Sequence, residues 1–233
     1  MKKIACLILV LGVLVIVFSS AVKGEKDKER FTVDNNSVDN ITVQEIYQLP
    51  TDKIKNQYSI EDFKGFYAEY LKLNDVGNTL EYYTISDITP ENIKDEIGCQ
   101  IFKDNSTYET YVIYKGELFR IGFGFGGMGV VMVTTCDFKE DGQKDLIYTF
   151  SFGSGLHRSH IGVFDLSEKQ ETWLDYRQTN EDIVLQKLSD YSFEVYTSIL
   201  EFKEDHQYEI TPVRKVAKVQ AKNGNIVVTP VSD

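Results

Sequence analysis

Proline and cysteine are scarce in this chain: its 233 residues include four prolines and three cysteines, and no low-complexity block divides it. No repeat of roughly 20–50 residues recurs, which argues against a solenoid or a complete propeller. The sequence also lacks a Gly-x-Ser-x-Gly elbow, a His-Glu-x-x-His helix and a Cys-x-x-Cys pair. These absences argue against serine hydrolase, zinc protease and thioredoxin-like chemistry. Paired carboxylates for glycoside cleavage stay open, since acids are too common here to single out two.

Basic residues are outnumbered, with 25 Lys and Arg against 36 Asp and Glu and a formal net charge of −11. Residues 1–21 contain two of the lysines and no acid, so the chain without them carries 23 basic and 36 acidic side chains, a net charge of −13. Such a surface repels phosphate backbones and anionic lipid. Nucleic acid is therefore not expected as a partner.

The first residues have the pattern of an export signal. Lys2 and Lys3 precede an apolar run, Ile4–Phe18, and Ser19-Ser20-Ala21 follows it with the small residues of a cleavage site. Cleavage after Ala21 would give a secreted protein. Without cleavage, the uncharged residues 4–22 are close to the roughly 20 needed to anchor the chain in the cytoplasmic membrane. Either way, we expect an extracytoplasmic protein that meets the membrane through this segment only.

The rest divides into a polar tether, residues 22–40, and one exported domain, residues 41–233. A helix is predicted over Ser59–Leu73, because Ser59 and Asp62 form a capping box and apolar residues recur at helical spacing. A second helix is predicted with Thr89 as N-cap, Pro90 in the first position and Gly98 at the end. Ile41–Leu49 could form either a helix or a strand.

The remaining pattern is typical of β-structure, with hairpin turns predicted at Lys115-Gly116 and within Lys222–Asn225. The predicted strands are Tyr108–Tyr114, Glu117–Phe123, Val130–Cys136, Leu146–Phe152, His160–Leu166, Ile183–Leu188, Ser192–Leu200, Tyr208–Ala221 and Ile226–Pro230. N-terminal helices followed by a mostly antiparallel sheet make a β-dominated α+β fold, arranged as a sandwich or a partial propeller.

Cys99 and Cys136 are the two cysteines beyond the export segment. In an oxidising compartment they could form a disulfide that closes a loop of some 36 residues. The alternative is two buried thiols, which suits Cys136 in its apolar run equally well.

The segment Asp137–Leu146 lies between two predicted strands and resembles the calcium loop of FG-GAP and related cell-surface β-repeats. The resemblance matches Asp137, Asp141 and Asp145 as acidic ligands, with Gln143 offering its carbonyl. It also matches Gly142 and Leu146, but Lys139 replaces an expected acid. Calcium requires six to eight hard oxygen ligands. The alternative to a calcium site is a turn whose acids cap their own backbone amides.

Two of the three histidines fall in Ser151–His160, a stretch that resembles part of an uncharacterised family of exported bacterial proteins. His157, Arg158 and His160 could form a polar cluster at a strand edge that holds an anion or a metal. However, residues three apart in a strand point to opposite faces, which favours a turn with one satisfied histidine.

The glycine-rich segment Gly122–Gly127 fits the letters of a dinucleotide fingerprint, but a predicted strand follows it where that motif needs a helix. We interpret it as a β-connection or a close backbone approach. No cofactor other than calcium is predicted.

Taken together, these features favour an exported, calcium-stabilised module that binds an extracellular protein or a surface glycan without catalysis. The alternative is an extracytoplasmic hydrolase using His157, Arg158 and His160. A structural envelope protein without a ligand is a third interpretation.

Overall fold

The computed structural model describes residues 40–41, 45–49, 51–54, 56–73, 84–203, 208–222 and 225–231. All of them belong to one compact unit, Ser37–Asp233. The predicted export segment and the tether up to residue 39 lie outside the described residues. Within the described part, no helix is long and apolar enough to cross a membrane.

Strands make up most of the described chain. A 3-10 turn at Thr51–Lys53 precedes helix α1, Ile60–Leu73, and a second helix α2 spans Glu91–Ile97. The strands are β1 Asn40–Ile41, β2 Glu45–Gln48, β3 Ile85–Asp87, β4 Gln100–Asp104, β5 Thr110–Tyr114, β6 Glu117–Ile121, β7 Gly129–Cys136, β8 Asp145–Phe152, β9 Arg158–Asp165, β10 Gln170–Thr179, β11 Asp182–Ser189, β12 Ser192–Phe202, β13 Tyr208–Lys222 and β14 Asn225–Pro230.

These strands form three antiparallel sheets. The N-terminal sheet has the order β2-β6-β5-β4-β3, the central sheet β1-β10-β9-β8-β7, and the C-terminal sheet β11-β12-β13-β14. The predicted β-dominated α+β fold is confirmed, in its sandwich form. Both predicted hairpins pair as expected, although residues 223–224 of the second turn lie outside the described part. Strands β3, β4 and β10 are missing from the prediction, and in β10 most residues are polar.

The central sheet lies between the other two. On β8, Leu146, Tyr148 and Phe150 pack with the N-terminal sheet, whereas Ile147 packs with the C-terminal sheet. Because successive side chains of a strand face opposite sides, a strand that is covered on both faces becomes a continuous buried run. All residues of β8 except Phe152 are buried accordingly.

Helix α1 covers the outer face of the N-terminal sheet. The predicted capping box is confirmed: the Ser59 amide donates to Asp62 Oδ2 (2.9 Å) and the Asp62 amide to Ser59 Oγ (3.1 Å). Phe63 is fully buried, with its ring stacked 4.6 Å from that of Phe102. Ile60, predicted on this face, is instead exposed at the first turn.

Helix α2 begins one residue later than predicted. Pro90 rather than Thr89 is the N-cap, and the Thr89 hydroxyl instead accepts the Ile101 amide (2.7 Å), which ties the helix to β4. The predicted C-terminal close at Gly98 is confirmed by its left-handed φ of 73° and its amide bonds to the last turn of the helix.

Candidate functional site

A cavity of about 880 Å³ opens where loops of the three sheets meet. The β4–β5 loop contributes Tyr108 and Glu109, and the glycine-rich β6–β7 loop contributes Phe125 and Met128. His157, just before β9, and Asp182, the first residue of β11, complete the polar part of the lining. Polar side chains from all three sheets converge here on open space.

The β4–β5 loop is shaped by Asp104, which is fully buried. Its Oδ1 accepts the Ser106 amide (2.8 Å) and its Oδ2 accepts the Thr107 hydroxyl (2.9 Å). The Tyr108 amide donates to the Asp104 carbonyl (2.7 Å), which holds Tyr108 at a left-handed φ of 61°. One buried acid therefore shapes the loop that presents Ser106, Thr107, Tyr108 and Glu109 to the cavity.

The glycine-rich loop packs directly against Tyr108. A Cβ on Gly124 would lie 2.4 Å from the Tyr108 carbonyl oxygen, and a Cβ on Gly129 only 1.9 Å from it. Glycine is required at both positions because no side chain fits. The close backbone approach and the following strand, β7, confirm the interpretation that rejected a dinucleotide site.

His157 and Asp182 form the polar pair of the cavity, with His157 Nε2 3.0 Å from Asp182 Oδ1. Ser159 Oγ lies 3.5 Å from the same nitrogen, and it donates its hydrogen to the Glu181 carbonyl (2.8 Å). A Ser-His-acid relay needs the acid and the serine on different imidazole nitrogens. The arrangement is therefore an oriented histidine and not a nucleophilic triad.

Glu109 is the second acid of the cavity. Its Oε2 is buried and makes no hydrogen bond within the described part of the chain. Arg120 Nε lies 3.9 Å from this oxygen, too far for a hydrogen bond. Burial raises the pKa of Glu109, and the charge of Arg120 only partly opposes that shift.

Lys103 lies beneath the cavity with 1% of its surface exposed. Its Nζ donates to the Val130 carbonyl (2.9 Å) and sits 5.6 Å and 5.3 Å from the ring centroids of Tyr108 and Tyr208. Burial lowers its pKa to about 8, against the opposing effect of the Asp182 carboxylate. Lys103 thus links β4, β7 and β13, one strand from each sheet. Sequence reasoning missed it, because a lysine on a strand is normally solvated.

The predicted cluster of His157, Arg158 and His160 is split by the strand. Only His157 is among the described residues that line the cavity. The His160 ring instead stacks with those of Phe150 and Phe152, at centroid distances of 5.6 and 5.2 Å. Burial, with the charges of Arg177 and Arg158, lowers the pKa of His160 to about 4. Its imidazole is therefore neutral at pH 7 and serves as part of an aromatic cluster.

Three of the four predicted calcium ligands, Asp137, Asp141 and Gln143, lie in one turn, and Asp145 is the first residue of β8. The Asp141 and Gly142 amides donate to the two oxygens of Asp137 (3.2 and 3.1 Å), and the Gln143 amide donates to Asp141 Oδ1 (2.8 Å). These bonds are those of the alternative interpretation, in which the acids cap their own backbone. No group of three or more His, Cys, Asp or Glu in the described ranges is arranged to hold a metal ion. Calcium binding by this loop stays a prediction.

The remaining loop residues bond outside the turn. Asp145 Oδ1 accepts the Leu166 amide (2.9 Å), and burial raises the pKa of Asp145 to about 6. Lys139, which stands where the calcium loop would have an acid, pairs with Asp165. Lys139, the residue that departs from the family pattern, therefore connects the turn to the end of β9.

Cys99 and Cys136 are buried free thiols in this structure. They belong to different hydrophobic clusters, Cys99 between the N-terminal and central sheets and Cys136 between the central and C-terminal sheets. The central sheet separates the two clusters, so the predicted disulfide is not formed. Burial raises the pKa of both thiols.

Comparisons of the chain with models of protein families, with curated proteins and with solved structures found no match. The function must therefore be argued from the chemistry of the site itself.

Proposed function

We propose that this chain is an exported binding module and that the cavity between the three sheets is its ligand site. The observation that carries the proposal is the convergence of Phe125, Tyr108, Glu109 and the His157–Asp182 pair on one open space. A few directed polar groups beside aromatic surface are the usual composition of a ligand pocket. Phe125 is 64% exposed at this site and offers an apolar ring to a ligand in the cavity.

A binding role is favoured over hydrolysis by the position of the histidines. The hydrolase hypothesis uses His157 or His160 with an acid and Arg158. Of these three residues only His157 lines the cavity, and His160 belongs to the aromatic cluster. Ser159, whose hydroxyl lies 3.5 Å from His157 Nε2, is buried and already donates its hydrogen to the backbone. Export is carried forward from the sequence as part of the proposal, with an extracellular protein or a surface glycan as partner, whereas the Asp137–Asp145 segment is taken as a self-capped turn.

The test uses the full chain in mild non-ionic detergent on two arrays, one of basic, acidic and neutral peptides and one of neutral oligosaccharides. Phe125→Ala is compared with Leu156→Ala, which truncates another exposed side chain that does not line the cavity. Binding that is lost in Phe125→Ala and kept in Leu156→Ala supports the proposal. If no array member depends on Phe125, the cavity is not the binding site and the proposal is wrong.

A further inference from the structure

Of the Asp, Glu, Lys and Arg side chains, only acidic ones are among the described residues that line the cavity. Two carboxylates, Glu109 and Asp182, line it, and none of the ten described lining residues is Lys or Arg. The nearest cations approach from outside the lining: Arg120 stands 3.9 Å from Glu109, and Lys103 is buried beneath Tyr108. An anionic ligand would meet repulsion from both carboxylates, and no lining lysine or arginine would be there to receive it.

The two carboxylates differ in the hydrogen bonds and charged neighbours that their oxygens have. Asp182 has a hydrogen-bonded partner in His157 at 3.0 Å and also feels the charge of Lys103. Glu109 has a buried oxygen without a hydrogen bond in the described part of the chain. Glu109 otherwise has a backbone hydrogen bond from Gly124 and Arg120 at 3.9 Å, so it is the less well paired of the two acids that line the cavity. A cationic donor would restore the ionised form that burial disfavours.

The apolar residues of the lining also suit a cationic ligand. The rings of Tyr108 and Phe125 and the thioether of Met128 complete the walls. Aromatic faces attract cations through their ring quadrupoles, and they also cover the methylene stem of a long basic side chain. Phe125, exposed in the free protein, would become covered by such a stem.

From these observations we infer that the cavity receives a basic side chain, a guanidinium or ammonium group of a partner protein, with Glu109 as its main counter-ion. The inference rests on the proposed binding function and specifies its ligand. A neutral oligosaccharide offers hydroxyl donors but no charge, so the two chemistries can be separated with isosteric ligands.

The experiment is calorimetric titration of the full chain, in mild non-ionic detergent, with N-acetyl-arginine methylamide and with N-acetyl-citrulline methylamide. The two probes have nearly the same shape and differ in charge. We expect arginine to bind at least about tenfold more tightly, the size of one good charge interaction. Glu109→Gln keeps the side chain's shape and should remove most of that difference by weakening arginine while leaving citrulline unchanged.

Glu168→Gln is the matched control, because Glu168 is an exposed acid on the turn before β10 and does not line the cavity. It should leave both affinities unchanged. Equal affinities for the two probes, no detectable binding of arginine, or equal effects of Glu109→Gln and Glu168→Gln would each overturn the inference. The proposed function survives those results if the arrays still show binding that depends on Phe125, and fails with the inference if they do not.

Discussion

His157 and His160 stand three residues apart in the chain, yet they belong to two regions of different character. His157 lies at a cavity between loops and pairs with an acid from another sheet. His160 stacks among aromatic rings on a face of the central sheet. His157 lies in the loop before β9 and His160 lies within the strand, which accounts for the separation. The comparison teaches that polar residues adjacent in a sequence motif can be divided by one strand into a site and a core.

The largest difference in stability between the two regions is expected from a change at Phe150. Its ring is fully buried, and its centroid is 4.8 Å from that of Trp173. We expect Phe150→Ala to reduce the free energy of unfolding by about 3–5 kcal/mol, because it leaves a large cavity in the aromatic cluster. Phe125→Ala, in the other region, should change it by no more than about 0.5 kcal/mol. Denaturant unfolding measures both. Similar losses for the two variants would contradict the division into core and site.

A second test is the pH dependence of stability. The pKa of His160 is lowered from 6.5 to about 4, so the folded state binds fewer protons than the unfolded state between these values. This contribution to stability is complete above pH 6.5 and is lost as the pH falls toward 4. Allowing for partial exposure, we expect a loss of about 1–2 kcal/mol.

The measurement is urea unfolding at several pH values between 4 and 7 for the wild type, His160→Phe and His157→Gln. His160→Phe should flatten the acid side of the profile, whereas His157→Gln should retain the fall. An unchanged slope in His160→Phe would show that the imidazole is not buried in its neutral form.

Asp182→Asn is expected to have a smaller effect on the free energy of unfolding. This effect is present below pH 8 and shrinks above it. The variant removes the carboxylate that acts on the buried Lys103, whose pKa is lowered to about 8. Below pH 8 the lysine is charged and loses a favourable neighbour, at a cost of about 1 kcal/mol. Above pH 8 the lysine is neutral, so the difference between variant and wild type should shrink. A difference in unfolding free energy that is equal at pH 7 and pH 9.5 would argue against this coupling.

The smallest effect is expected at the Asp137–Asp145 turn, whose acids accept hydrogen bonds from backbone amides of the turn itself. Addition of millimolar calcium to the full chain should move the thermal midpoint by no more than about 1 °C, because these bonds need no metal. A calcium site occupied at 100 times its dissociation constant would stabilise by about 2.7 kcal/mol. That would raise the midpoint by roughly 5–10 °C. A rise of this size, lost in Asp141→Ala, would establish the calcium site that the sequence predicts.

Local signals predicted most of the secondary structure. The capping box at Ser59, the left-handed Gly98 and the Lys115-Gly116 turn each involve residues close in sequence, so their geometry follows from neighbouring atoms. Strand β10 gave no such signal. Its Glu171 is buried only because the Gly122 amide (2.7 Å) and the Tyr148 hydroxyl, both remote in sequence, donate to it.

The sequence by itself determined the class of fold, because helical and strand periodicities are properties of adjacent residues. It also identified the glycine-rich connection and the oxygen-rich turn. The tertiary structure alone decided the candidate site. Tyr108, Glu109, Phe125, His157 and Asp182 come from four separate segments that meet only when the three sheets stack. Lys103 shows the physical reason most clearly: its burial and lowered pKa arise from contacts with strands that follow it by 27 and 105 residues.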